Sequence, residues 1–101
     1  MSAVRLEVLS SLAETLDTDS KADAVTLEQE ITEGTTVRDV LNLLNTEHQR
    51  FVQVIFDVKA QKQTERVNIF LNGRNLELAD GLATALNDGD VLTFVSPIIG
   101  G

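Results

Sequence analysis

Two glycines, Gly100 and Gly101, close the sequence, and they are the residues with most to offer chemically. A glycine pair packs nothing and orders poorly, yet without a Cβ it lets backbone enter a channel too narrow for any side chain. The expectation is a tail used as a reagent through its terminal carboxylate. With a pKa near about 3.5, that group is an anion at neutral pH, and no nucleophile attacks it until a partner activates it. At about 7% glycine usage, two terminal glycines arise by chance in roughly one chain in two hundred, so the pair alone is not decisive.

Other chemistry is thinly supplied. The sequence has no cysteine, which excludes disulfides, thiolate metal sites, iron–sulfur clusters and cysteine nucleophiles. His48 is the single histidine. It falls near a predicted helix end, where the helix dipole accounts for it, and it has no companion ligands. Asp17, Asp19 and Asp23 hint at calcium, but the spacing lacks the glycine and distal bidentate glutamate of an EF-hand loop and reads as a solvated loop. No nucleophile, base and orienting group form a recognisable set. No bound metal or cofactor is therefore expected, nor an autonomous enzyme.

The elements that must carry the tail follow from two changes of period. Val4, Leu6 and Val8 alternate with Arg5, Glu7 and Leu9, and Val25, Leu27 and Ile31 alternate with Thr26, Glu28 and Glu30. Both runs predict strands with one apolar face, together a hairpin. Between them, residues 11–24 are rich in Asp, Ser, Thr and Lys and predict a mobile loop with a short helical piece at 12–16. After Glu33-Gly34-Thr35 the period switches: Val37, Val40, Leu41 and Leu44 mark an amphipathic helix, with Thr36 and Asp39 spaced as a near capping box. Residues 51–56 are rich in β-branched and aromatic side chains and predict a strand over a continued helix.

The second half returns to strands. Val67, Ile69 and Leu71 alternate with Asn68 and Phe70, and Asn72-Gly73 supplies the positive φ angles of a type I′ turn leading into Asn75-Leu76-Glu77-Leu78. Leu82, Ala85 and Leu86 predict a short helical turn. Asn87-Asp88-Gly89-Asp90 is a second turn, followed by a last strand at Val91–Val95 and a stop at Pro97. In that strand Leu92 and Phe94 share the core face, and Thr93 and Val95 share the open face just before the tail.

At 101 residues the chain is read as one domain, 1–101, with a core of limited size and residues 96–101 as a flexible extended tail. The 16 acidic residues outnumber the 8 basic ones, for a formal charge of −8 and a pI near 4.4. That balance repels phosphate backbones and anionic lipid, so neither nucleic acid nor a membrane surface is an expected partner. The start of the chain lacks the apolar stretch of a signal peptide, and a cytoplasmic location is expected.

Taken in order, the strand hairpin, the helix starting near Thr36, Asn72-Gly73, Asp88-Gly89-Asp90, an apolar strand, Pro97 and terminal Gly100-Gly101 resemble the ubiquitin-like β-grasp sulfur carriers. The closest type is the small subunit of molybdopterin synthase, the MoaD type of the ThiS-MoaD family. The resemblance spans essentially the whole chain, and its most specific part is the last fourteen residues. It implies an α+β fold, with a mixed four- to five-stranded sheet packed on one main helix. It also implies that an ATP-dependent activating enzyme of MoeB/ThiF-like type adenylates Gly101, with Gly100 beside it. A sulfur donor then leaves a thiocarboxylate for a synthase large subunit or another sulfur acceptor. The chain itself binds no cofactor, since the ATP is used by its partner.

Thr93, Val95, Pro97, Ile98 and Ile99 are the expected partner contacts. The alternatives are a protein modifier joined to lysines, carriage in cysteine, thiamine or tRNA thiolation pathways, or a binding module with an inert tail. Three departures blur the pathway: Ser96 stands where the family often has proline, Ile99 replaces a usually smaller residue, and the loop around Asp17 to Asp23 is extended.

Overall fold

Alternate apolar residues decide the sheet. Val4, Leu6 and Val8 are buried on one face of β1 (Ser2–Leu9), which pairs antiparallel along its whole length with β2 (Ala24–Ile31), from Ser2↔Ile31 to Leu9↔Ala24. The computed structural model describes residues 2–9, 24–76 and 81–95. The expected loop with its helical piece at 12–16, the aspartates at 17, 19 and 23, and residues 96–101 lie outside the described residues.

Helix α1 (Val37–Glu47) begins with a complete capping box. The Thr36 hydroxyl accepts from the Asp39 amide at 3.2 Å, and the Asp39 carboxylate accepts from the Thr36 amide at 3.0 Å, so two otherwise orphaned N–H groups are satisfied. Val37, Val40, Leu41 and Leu44 form its buried stripe. His48 closes α1, its N–H donating to the Leu44 carbonyl at 2.7 Å, while its own carbonyl accepts from the Val52 amide at 3.0 Å.

That second bond opens α2 (Gln49–Ile55), which corrects the strand expected at 51–56. Phe51, Val52 and Ile55 are buried, a helical i, i+1, i+4 spacing rather than strict alternation. Tertiary burial has overridden a β-rich composition. Only Phe56 leaves the helix, entering a two-residue strand β3 (Phe56–Asp57) that pairs with β4 (Lys62–Gln63) in a separate two-stranded sheet.

The expected type I′ hairpin is present. β5 (Asn68–Leu71) and β6 (Arg74–Asn75) pair as Leu71↔Arg74, with Asn72 at φ 51° and Gly73 at φ 86°, the two positive φ angles this turn demands. The short helical turn expected from Leu82 to Leu86 is narrower, a 3-10 turn at Gly81–Ala83. Ala85 instead bridges to Thr36, and Leu86 N–H donates to the Thr35 carbonyl at 2.8 Å, tying this segment to the start of α1.

The last strand, β7 (Val91–Val95), completes a five-stranded mixed sheet in the order β2-β1-β7-β5-β6. It runs parallel to β1 and antiparallel to β5. The core lies between one face of this sheet and the two helices. The layers are those expected, with α2 added to the single helix anticipated.

Candidate functional site

β7 is the element that delivers the chain to its last six residues, so what fixes β7 fixes the origin of the tail. Its inward residues Leu92 and Phe94 are fully buried. The Phe94 ring meets Phe51 of α2 edge-to-face, with centroids 5.4 Å apart and planes at 87°, a favoured aromatic geometry. The helix missed in the sequence thus supplies the side chain that seats the final strand.

The entry to β7 is tied to both neighbours. On the β1 side, Arg5 N–H donates to the Asp90 carbonyl at 2.9 Å, Gly89 N–H to the Ala3 carbonyl at 2.9 Å, and Ala3 N–H to the Asp88 carboxylate at 2.9 Å. Toward β5, Asn72 works in both directions. Its amide NH2 donates to the Asp90 carboxylate at 3.0 Å and its side-chain oxygen accepts from the Val91 amide at 2.9 Å, while its backbone N–H reaches the Val91 carbonyl at 2.8 Å. The second Asp90 carboxylate oxygen accepts from the Asn87 amide at 2.8 Å. The two turns picked out in the sequence are therefore one hydrogen-bonded unit that sets the register of β7.

Thr93 and Val95 sit where alternation places them, half-buried on the sheet face away from the helices. Register gives them their neighbours: Thr93 lies between Glu7 and Phe70, and Val95 lies beside Asn68. Directly paired residues share a face, so Val91, Thr93, Val95 and half-buried Phe70 make a continuous strip, mostly apolar, across β7 and β5. Phe70 was not singled out in the sequence. Its signal was there, an aromatic in phase with the polar residues of its strand. On the other half of the same face, Arg5 pairs with Glu28, Glu7 with Thr26 and Ala3 with exposed Glu30, leaving an acidic border.

Pro97, Ile98, Ile99, Gly100 and Gly101 lie outside the described residues. Gly101 is the sixth residue after Val95, which allows a reach of at most about 20 Å at roughly 3.4 Å per residue. His48 stands at the junction of the helices, and among the described residues no three His, Asp or Glu side chains converge as metal ligands. No helix among them is long and apolar enough to cross a membrane.

A hairpin, a helix across one face and a central final strand parallel to the first define a ubiquitin-like β-grasp protein. The chain belongs to the ThiS family, whose model matches residues 11–101. It is 35% identical over 71 residues to the small archaeal modifier protein 3 of Haloferax volcanii, covering 70% of this chain and 75% of that protein. The solution structure of small archaeal modifier protein 1 from Methanosarcina acetivorans superposes with a TM-score of 0.71 at 29% identity, over 100% of this chain and 98% of that one. A Pyrococcus furiosus protein assigned provisionally as molybdopterin converting factor subunit 1 gives a TM-score of 0.67 at 24% identity, over 97% and 100% of the two chains. That last likeness bears on the fold alone.

Proposed function

We propose that this chain is a cytoplasmic sulfur carrier whose Gly101 carboxylate is activated in a partner enzyme. The carboxylate attacks the α-phosphate of ATP in a MoeB/ThiF-like enzyme, giving the glycyl adenylate and pyrophosphate. Sulfur delivered by a donor at the hydrosulfide level then attacks the carbonyl carbon and displaces AMP, leaving the terminus as a thiocarboxylate. Its acceptor is the molybdopterin precursor held by a synthase large subunit. The chain contributes position and no catalytic group, and it binds no cofactor of its own.

The observation that carries this reading is that the ThiS family match runs through to Gly101, so the two glycines fall inside the family pattern rather than beyond it. The absence of cysteine supports it as well: with no thiol to carry sulfur, the terminal carboxyl is the atom group left to hold it. The apolar strip of Val91, Thr93, Val95 and Phe70 is the face that would rest on the partner, with residues 97–101 reaching inside. Pro97, Ile98 and Ile99 would contact the walls and Gly100 the narrowest part.

A second reading is favoured by the 35% identical relative, which is a modifier protein. In it the same adenylate is passed to a lysine amine of a target, forming an isopeptide bond. Intact-mass analysis of protein isolated from its native cells, together with proteolysis of its adducts, separates the two. Replacement of one terminal oxygen by sulfur is the result expected for carriage. Gly-Gly remnants on lysines of other proteins, with no thiocarboxylate, would assign the chain to conjugation, and an unmodified terminus under all conditions would contradict both.

A further inference from the structure

The free edge of the sheet carries a second surface, unrelated to β7. β2 lies at the end of the strand order, and among the described residues no strand flanks its outer side. Alongside it, β2 and the flank of α1 leave a groove of about 580 Å³ lined by Ser2, Gln29, Glu30, Ile31, two threonines of the following turn and Leu43. Leu43 is 48% exposed, the most exposed large apolar residue among those described, although it belongs to a helix whose other leucines are buried. On the opposite side of β2, Glu28 and Glu30 are exposed and two residues apart, and Glu33 follows in the turn beyond.

An open strand edge presents unpaired backbone donors and acceptors in register with an added strand, and alternate residues of that strand fall on opposite faces. Here one face is a mixed groove whose apolar surface is Ile31 and Leu43, and the other carries Glu28 and Glu30, with Arg5 beside Glu28 on the inner strand. The occupant that satisfies both alternates apolar and basic residues. We infer that the β2 edge is a docking site for an extended, lysine- or arginine-bearing peptide segment of a partner protein. This segment would add a sixth strand, with its apolar side chains against Leu43 and its cations against Glu28 and Glu30. A second copy of this chain is the wrong occupant, because pairing β2 with β2 sets glutamates against glutamates in a protein of charge −8. The residues joining β1 to β2 have the wrong sign too, with Glu14, Asp17, Asp19 and Asp23 against Lys21.

The test is a titration of the isotope-labelled full chain with a blocked peptide of sequence Val-Lys-Val-Lys-Val-Lys, followed by amide and methyl NMR. Saturable shifts are expected at the β2 amides and the Leu43 methyls, with Phe70, Thr93 and Val95 unmoved. Glu28→Gln combined with Glu30→Gln should weaken binding about tenfold or more, and Leu43→Ser by roughly fivefold. Both changes are at exposed positions, so an unchanged melting temperature verifies the fold. N-methylation of alternate peptide residues should abolish binding, since it removes the main-chain pairing, and a peptide with Glu for Lys should not bind.

Three results would overturn the inference. The first is shifts centred on the β7–β5 strip. The second is binding indifferent to Leu43→Ser and to N-methylation, which is charge attraction without a site. The third is concentration-dependent self-association through β2 in sedimentation of the chain alone. None of these readouts passes through the terminal glycines, so failure here leaves the proposed thiolation intact, and the reverse.

Discussion

The two faces of β7 use the same five residues for opposite purposes. Leu92 and Phe94 point into the core and have no exposed surface, whereas Thr93 and Val95, one residue away in each case, are only half-buried on the open face. The inward pair holds the strand at the centre of the sheet. The outward pair leaves a half-buried strip that the core does not need, and it is this face that is proposed to meet a partner. Core packing and the proposed recognition face are thus separated by the two-residue period of a strand, and substitutions at adjacent positions should report on different properties.

Phe94→Ala should produce the largest effect. Truncating a fully buried phenylalanine removes its contact with Phe51 and opens a cavity, at a cost of about 3–5 kcal/mol. In a domain this small, that takes most of the stability available. Thermal unfolding followed by circular dichroism is expected to show a fall of tens of degrees or no cooperative transition. A shift of only a degree or two would mean that the aromatic pair does not seat the strand.

Val95→Asp should do the reverse. The free domain is expected to melt within a few degrees of the parent, because the side chain already faces outward. Association with the activating enzyme should weaken by about tenfold or more, since a charge in the core of an apolar interface costs several times RT unless paired. Calorimetric titration gives the comparison, and unchanged affinity would remove this face from the docking site. Phe70→Ser, on the same strip, should follow Val95→Asp in kind.

A smaller change sharpens the origin of the strip. Asn72→Asp keeps a residue that tolerates positive φ but loses the amide donor and sets a carboxylate within about 3.0 Å of Asp90. A loss of roughly 1–2 kcal/mol is expected, a fall of about 4–16 °C in melting temperature. Asn72→Gly retains the turn geometry without the side-chain bonds and should lie between Asn72→Asp and the parent. Equal stability in all three would show that the two turns are independent.

Much of this arrangement was legible in the residues. The alternation of Val4, Leu6 and Val8, the Thr36–Asp39 box, the Asn72-Gly73 turn and the inward phase of Leu92 and Phe94 are local signals, and each survives in the fold because local and tertiary preferences agree. Residues 51–56 were misread because two preferences conflict. Their β-branched and aromatic side chains favour a strand, but Phe51, Val52 and Ile55 fit one buried helical stripe, and burial prevails. Ala85 and Leu86 escaped as well, since their bridge to Thr35 and Thr36 is a long-range pairing with no local mark. The open strip was half legible. Thr93 and Val95 follow from phase alone, whereas Phe70 joins them only through the Thr93↔Phe70 register, which sequence spacing does not reveal.

The central claim is that Gly101 is a reagent and not a packing element, and its most direct test is ATP–pyrophosphate exchange with the cognate activating enzyme. Deleting Gly101 moves the carboxylate back by up to about 3.5 Å, well beyond the roughly 1 Å that positioned chemistry tolerates. Gly100→Val instead places a β-branched side chain where only backbone is expected to pass. For both variants the account predicts that exchange and thiocarboxylate formation are lost while thermal unfolding is almost unchanged. Exchange and thiolation at the parental rate in either variant would contradict it.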